Sequence, residues 1–371
     1  MKGIKIKRTL PPAGAPILLQ DFLQAIRAMF HPAKVFSELK KSLSEFFGVK
    51  HIFLLNSGKA ALTVILEALA DIDNRREVVV PSYTCFSVPA SVARAGLKNV
   101  ICDIQPFTVN YDASQLRNVL GINTLCVLVS HLFGIPSDIE ALSAMARPHG
   151  VFLIEDCAQA FGAELNGKKI GTAGDVAFLS FGRGKNICAG SGGVIVTNND
   201  LIAQSLDKRV AELPYPQADQ NIQCFVKALF LSIFSCPYLY WLPAGLPFLQ
   251  LGKTIYSTRF RIEHMLPFHA GLAENWQAKL KLFNSLRRMH AETYKNELMP
   301  LGFRFFKEPE VSVPVYPRFP VIAHDVTQRD YLFERLSLSG LGGSFQYPAG
   351  IAHIPELSLK NGQRQIFRNG D

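Results

Sequence analysis

The chain has 371 residues, 48% of them hydrophobic and 19% charged: too long for one ordinary core and too apolar for disorder, so a large domain with a smaller companion is expected. Its 39 basic and 30 acidic residues leave a formal charge of +9, but the basic residues are scattered rather than clustered, which argues against a nucleic-acid partner. The seven cysteines form no CxxC pair and several lie in apolar runs, as reduced thiols of a cytosolic protein do; the basic N-terminus lacks a signal-peptide core, so a cytoplasmic location is expected.

Residues 1–50 read as an N-terminal helical segment. Residues 51–255 read as a large domain in which, from about 50 to 200, short β-branched runs alternate with helical stretches, the pattern of a mostly parallel sheet covered on both faces. The strand candidates are HIFLL (51–55), VVV (78–80), VICDI (100–104), LCVLVS (125–130), VFLIE (151–155), VAFLSF (176–181) and VIVT (194–197). KAALTVILEALA, DASQLRNVL and IEALSAMARPHG read as the helices between them. An apolar insertion covers 222–251. Residues 271–299 contain no internal proline and repeat apolar positions at three- and four-residue steps, predicting one long helix that links two domains. A smaller α/β domain over 256–371 follows, with a strand in VPVYPRFPVIA and a helix in RDYLFERLSLSG.

In such a sheet, ligands collect outside the carboxyl ends of the strands, so the polar residues just past each strand are the ones to weigh. After the first strand, Asn56, Ser57 and Gly58 lead into a helix whose N-terminus is an anion site or an ordinary cap. After VFLIE stand two carboxylates, Glu155 and Asp156, followed by Gln159; a carboxylate held there needs a partner, which is a protonated cofactor nitrogen, a salt bridge or a cap. Further on, LSFGRGKNICAGSGG (179–193) places Lys185 among glycines. This is no nucleotide-phosphate loop, because Leu179 stands where the first glycine belongs and Asn186 follows the lysine. Nor is it a dinucleotide loop, since Ile187 replaces the third glycine. Anion site, strand-end aspartate and loop lysine in this order fit pyridoxal 5'-phosphate, which needs a primary amine, a partner for its ring nitrogen and a phosphate cradle.

NSGKAAL, VVVPSYTCFSVPASVARAG, HLFGIPSDIEAL, IEDCAQAFGAELNGKKIGTAGDVAFLSF, GKN and GSGGVIVTNN together resemble the DegT/DnrJ/EryC1/StrS sugar aminotransferases. The resemblance runs from about 50 to 200 and weakens beyond. It implies the fold type I of pyridoxal phosphate-dependent transferases, with a seven-stranded sheet in the large domain. It implies further that Lys185 bonds the cofactor, Asp156 faces its ring nitrogen and Gln159 lies beside its ring oxygen. Ser180 would hold the phosphate together with the backbone of Ser57, Gly58 and Lys59. The expected activity moves an amino group, from glutamate as the family suggests, to a nucleotide-linked keto-sugar within a homodimer.

This sequence departs from the family pattern in several places. Cys85 occupies the position where an aromatic residue often stacks on the cofactor, leaving Tyr83 or Phe86 as substitutes. Ser191 stands in place of a glutamate, TRFRIEH (258–264) replaces the usual motif by which a neighbouring subunit reaches the phosphate, and the chain ends early for a complete small domain. Two other readings stay open: a sugar dehydratase, which Lys185 argues against, and a fold retained for binding or regulation. The stretch 228–249 has no charged residue; it reads as a buried helix with an apolar loop packed against the body or a second subunit, or as a re-entrant or interfacial patch at a membrane surface.

Overall fold

The computed structural model describes residues 8–11, 14–246, 254–347 and 349–358. All seven strand candidates join one sheet: β1 (His51–Leu55), β2 (Glu77–Pro81), β3 (Lys98–Cys102), β4 (Thr124–Ser130), β5 (Phe152–Asp156), β8 (Val176–Ser180) and β9 (Gly193–Thr197). Their order is β1-β9-β8-β5-β4-β2-β3, and β9 alone runs against its neighbours. The two-residue strands β6 (Glu164–Leu165) and β7 (Lys168–Lys169) form a small second sheet with β10 (Ser312–Val313).

Strand side chains alternate between two cores, as a sheet buried on both faces requires. Val79, Val127, Leu153 and Val194 enter one core, with α1 (Leu19–Phe30), α2 (Pro32–Phe47) and α10 (Pro267–Leu272). Val78, Val80, Leu128, Ile154 and Ile195 enter the other, under α3 (Gly58–Ile72), α4 (Ser87–Arg94) and α7 (Asp200–Ala211). In α3, Leu62, Ile65, Leu66 and Leu69 are fully buried; each adds roughly 2 kcal/mol, and truncating one to alanine costs about 2–5 kcal/mol. The shorter α5 (Ala113–Val119) and α6 (Ile139–Ala146) complete the crossovers.

The long helix expected over 271–299 forms, but it starts five residues later, at Trp276. α10 ends at Leu272 and α11 (Trp276–Leu298) starts after a three-residue turn. The cause is long-range: the ammonium of Lys279 reaches back to the Leu272 carbonyl at 3.3 Å and pairs with buried Asp21 of α1 at 2.6 Å. Trp276 Nε1 also donates to Ser42 of α2 at 3.0 Å, anchoring the new helix start. The strand expected in VPVYPRFPVIA is confined to Ser312–Val313 and an isolated bridge at Ile322, because Pro314, Pro317 and Pro320 remove the amides a ladder needs. The helix expected after it forms as α12 (Val326–Leu338), and α13 (Pro355–Ser358) follows.

The insertion folds as α8 (Ala218–Phe234) and the short α9 (Trp241–Ala244); positions 247–251 lie outside the described residues. In the single chain α8 is only partly covered: Ala228 is buried, whereas Leu229, Phe230 and Ile233 are exposed. No helix among the described residues is long and apolar enough to cross a membrane. Among the cysteines, Cys102, Cys126, Cys157 and Cys188 are buried, whereas Cys236 is exposed.

Candidate active site

The carboxyl ends of β1, β2, β4, β5 and β8 lie on one edge of the sheet, which brings together segments more than a hundred residues apart. At the β1 end, Ser57 caps α3 by accepting the Ala60 amide at 3.2 Å. Ser180, at the β8 end, meets this helix start: a Cβ on Gly58 would lie 2.8 Å from Ser180 Cβ. A Cβ on Gly193 would lie 2.1 Å from the Ser57 carbonyl, so this approach requires glycine. A hydroxyl beside the N-terminus of a 15-residue helix is an anion cradle. Lys59 offers it only backbone, since its ammonium lies over the ring of Phe260 at 4.7 Å. The TRFRIEH segment runs alongside, with Asn56 Nδ2 donating to the Arg261 carbonyl at 3.1 Å.

The two neighbouring carboxylates at the end of β5 have different fates. Glu155 is fully buried and accepts from the amides of Gly171 (2.9 Å), Ala173 (2.8 Å) and Gly174 (2.7 Å), with His131 Nε2 at 3.1 Å. Burial pushes its acidity down, but His131 and the amides outweigh this and hold its pKa below the ordinary value. Glu155 is therefore an internal anchor. The Asp156 carboxylate has one hydrogen bond among the described residues, from the Ala158 amide at 3.0 Å. Burial raises its pKa, and the charge of Lys185 opposes that rise, so the ammonium lies within electrostatic reach of the carboxylate.

Lys185 sits half-buried in the loop between β8 and β9, and its ammonium makes no hydrogen bond or ion pair among the described residues. The loop itself is tightly held. Arg287 of α11 donates to the carbonyls of Asn186 (3.0 Å) and Lys185 (3.5 Å), and Asn186 Nδ2 donates to Asn284 at 3.2 Å. At its far end, neutral His269 donates from Nδ1 to the Ala189 carbonyl at 2.7 Å. A free amine on a fixed loop is what a covalent attachment point requires.

Tyr83, Cys85 and Phe86 follow β2 and line the same cleft, but they meet a residue that the sequence pattern did not disclose. Tyr347 is buried between Tyr83, edge-on at 5.4 Å, and Phe86, stacked at 6.4 Å. Its hydroxyl accepts from Gln159 Nε2 at 2.9 Å, while Gln159 Oε1 accepts from the Phe133 amide at 3.2 Å. Cys85 Sγ receives the Ser87 hydroxyl at 3.0 Å.

Arg318 is a second such residue. It follows Pro317, which packs against Gly134 beside the Gln159 backbone. Burial lowers its pKa, and the groups acting against that shift are Tyr347 and Cys85. Its Nε is shielded from solvent without a hydrogen-bond partner, and it has no ion pair among the described residues. Only a lone arginine between prolines marks it in the sequence.

The layout is that of fold type I: a solved structure of the aminotransferase TlmJ from Streptoalloteichus hindustanus superposes with a TM-score of 0.74 at 24% identity, covering 94% of this chain and 88% of that one. The model of the DegT/DnrJ/EryC1/StrS aminotransferase family matches residues 20–213, and the chain belongs to that family. It is 38% identical over 168 residues to the "Pleiotropic regulatory protein" of Geobacillus stearothermophilus, covering 45% of each chain. It is 34% identical over 169 residues to the GDP-perosamine synthase of Vibrio cholerae, covering 46% of each. The matches thus span about half the length of these curated relatives.

Proposed function

We propose that the chain is a pyridoxal phosphate-dependent aminotransferase that moves the amino group of an amino acid, glutamate first among them, to a keto-sugar carried on a nucleotide. The observation that carries this reading is the Lys185 ammonium, unpartnered among the described residues and within electrostatic reach of Asp156, at the sheet edge that also holds the Ser180 anion cradle. The residues fit the cofactor's three groups: an amine for its aldehyde, a carboxylate for its ring nitrogen and a helix N-terminus for its phosphate. When bound, the cofactor supplies an electron sink for breaking the bond from the donor's α-carbon to hydrogen.

The chain's own residues do the rest. Asp156 holds a proton on the ring nitrogen, and the positive charge gained there offsets the carboxylate's desolvation. Ser180 and the α3 N-terminus hold the phosphate. Lys185 Nζ would hold the cofactor's aldehyde and, when released, would take the proton from the donor's α-carbon and, in the second half of the exchange, deliver one to the acceptor carbon that gains the amino group. Arg318, whose guanidinium has no partner among the described residues, receives the donor's carboxylate. The nucleotide-sugar acceptor follows the relative named GDP-perosamine synthase.

A second reading, a fold retained for binding or regulation, is favoured by Tyr347, whose hydroxyl already takes the Gln159 amide proton. Incubating cofactor-loaded protein with glutamate and assaying 2-oxoglutarate separates the two. Stoichiometric keto acid is the expected result; none from glutamate or any other common amino acid favours the binding reading.

A further inference from the structure

Two residues beside the cleft are held in backbone conformations that residues with side chains disfavour. Phe133, just past β4, has a φ of 59° and Tyr316 a φ of 39°, both in the left-handed region. Tyr316 also precedes Pro317, and the residue before a proline is pushed toward extended backbone. The two bends meet at Gly134, where a Cβ would lie 2.8 Å from both the Tyr316 nitrogen and Pro317 Cδ, and 2.9 Å from the Gln159 carbonyl oxygen. The Val315 amide donates to the Gly134 carbonyl at 3.0 Å, so backbone also joins them. Strain of this kind persists only where its surroundings over-determine it, and it collects at ligand sites.

The surroundings of Tyr316 do over-determine it. Its side chain is buried, and its hydroxyl donates to Glu308. Glu308 pairs with the ammonium of Lys295, on α11, at 2.8 Å, and that ammonium lies 5.3 Å from the centre of the Tyr316 ring. Lys295 pairs as well with Glu292, one turn earlier on the same helix, at 3.0 Å. Beyond Arg318, the ring of Phe319 packs against those of Tyr294 at 5.5 Å, Phe305 at 5.3 Å and Tyr316 itself at 5.7 Å. Arg318 thus leaves a backbone fixed on both sides, by a locked tyrosine and a proline of set φ before it and a packed phenylalanine after it. Its guanidinium has no partner among the described residues.

We propose that Tyr316 is a positioning residue: its left-handed backbone, locked through Glu308 to Lys295, turns Arg318 into the cleft and holds it there for the donor's carboxylate. The inference rests on the reading of Arg318 given above. Arginine has a long stem with many rotamers, so its fork grips a carboxylate best when the backbone beneath it is already ordered. The Tyr316 hydroxyl is engaged by Glu308, and its effect on the donor passes through Arg318. Losing that hydroxyl should weaken the hold on carboxylates and leave proton transfer at Lys185 unchanged.

The test compares Tyr316→Phe, Glu308→Gln, Arg318→Met and the double variant Tyr316→Phe/Arg318→Met in the cofactor-loaded full chain. Glutarate, a dicarboxylate without the reacting amine, is titrated by calorimetry, and amino transfer from glutamate supplies KM and kcat. Tyr316→Phe and Glu308→Gln should each weaken glutarate binding and raise KM about tenfold, with kcat changed by less than about twofold. The double variant should bind no more weakly than Arg318→Met alone, because the lock then has nothing left to position. Parent-like glutarate binding by Tyr316→Phe or Glu308→Gln, losses that multiply in the double variant, or a kcat that falls in step with affinity would overturn the proposal while Arg318 keeps its role. A parent that does not bind glutarate, or an Arg318→Met that binds it like the parent, would remove the carboxylate reading of Arg318 and this inference with it. Circular dichroism and the cofactor's absorption serve as controls for folding.

Discussion

Arg287 donates to the carbonyl of Asn186 at 3.0 Å, across 101 residues of chain, and thereby ties α11 to the residue next to Lys185. The lysine loop is held from outside rather than by its own glycine-rich sequence. Replacing Arg287 with methionine keeps the apolar stem and deletes the clamp. Chemical denaturation should show a loss of about 2 kcal/mol, and equilibrium dialysis cofactor retention about tenfold weaker. Arg287→Lys should recover only part, because an ammonium lacks the fork that spans two carbonyls. Unchanged cofactor affinity in Arg287→Met would show that the loop needs no clamp.

The neighbours Glu155 and Asp156 should answer amide substitution in opposite ways. Glu155→Gln leaves His131 and three backbone amides facing a group that can no longer satisfy them all, and should cost about 3–5 kcal/mol. Asp156→Asn removes a desolvated charge with a single hydrogen bond and should leave thermal stability nearly unchanged while abolishing tight cofactor binding. Calorimetry together with cofactor titration of both variants checks this, and a reversed pattern would exchange the two roles.

Arg318 is the proposed receptor for the donor's carboxylate. Arg318→Met should raise the glutamate concentration needed for half-maximal amino transfer about 10–100-fold, the worth of one charge-assisted hydrogen-bonded pair. The maximal rate should change far less, and Arg318→Lys should restore part of the affinity. Equal loss for a donor lacking the carboxylate would remove Arg318 from this role.

His269 predicts a pH dependence of stability. Its burial lowers the pKa from 6.5 to about 4, although its bond to the Ala189 carbonyl works the other way. Between those values the unfolded chain binds a proton that the folded chain refuses. Its contribution is therefore present above pH 6.5, declines as the pH falls toward about 4, and is level below that. The size is roughly 3 kcal/mol at most. Urea denaturation across this window should slope less in His269→Asn than in the parent; identical slopes would contradict the assignment.

Much of this molecule is legible in the sequence, for physical reasons that also mark the limits. A strand buried on both faces must be an apolar run, so all seven sheet strands stand out, and residues past their ends are bound to converge on one edge. What stays hidden depends on distant segments. Glu155 looks as available as Asp156 until the 171–174 turn folds over it. Tyr347 enters the cleft 188 residues beyond Gln159, with no local periodicity to announce it. The break between α10 and α11 is hidden in the same way, since Lys279 and Asp21 decide it together.

The central claim is that Lys185 bonds the cofactor opposite Asp156, and the visible absorption spectrum of purified protein with pyridoxal phosphate tests it most directly. The band of a lysine-bound cofactor is expected, absent in Lys185→Ala and bleached by glutamate in the parent. A parent protein without that band, indistinguishable from Lys185→Ala, would contradict it.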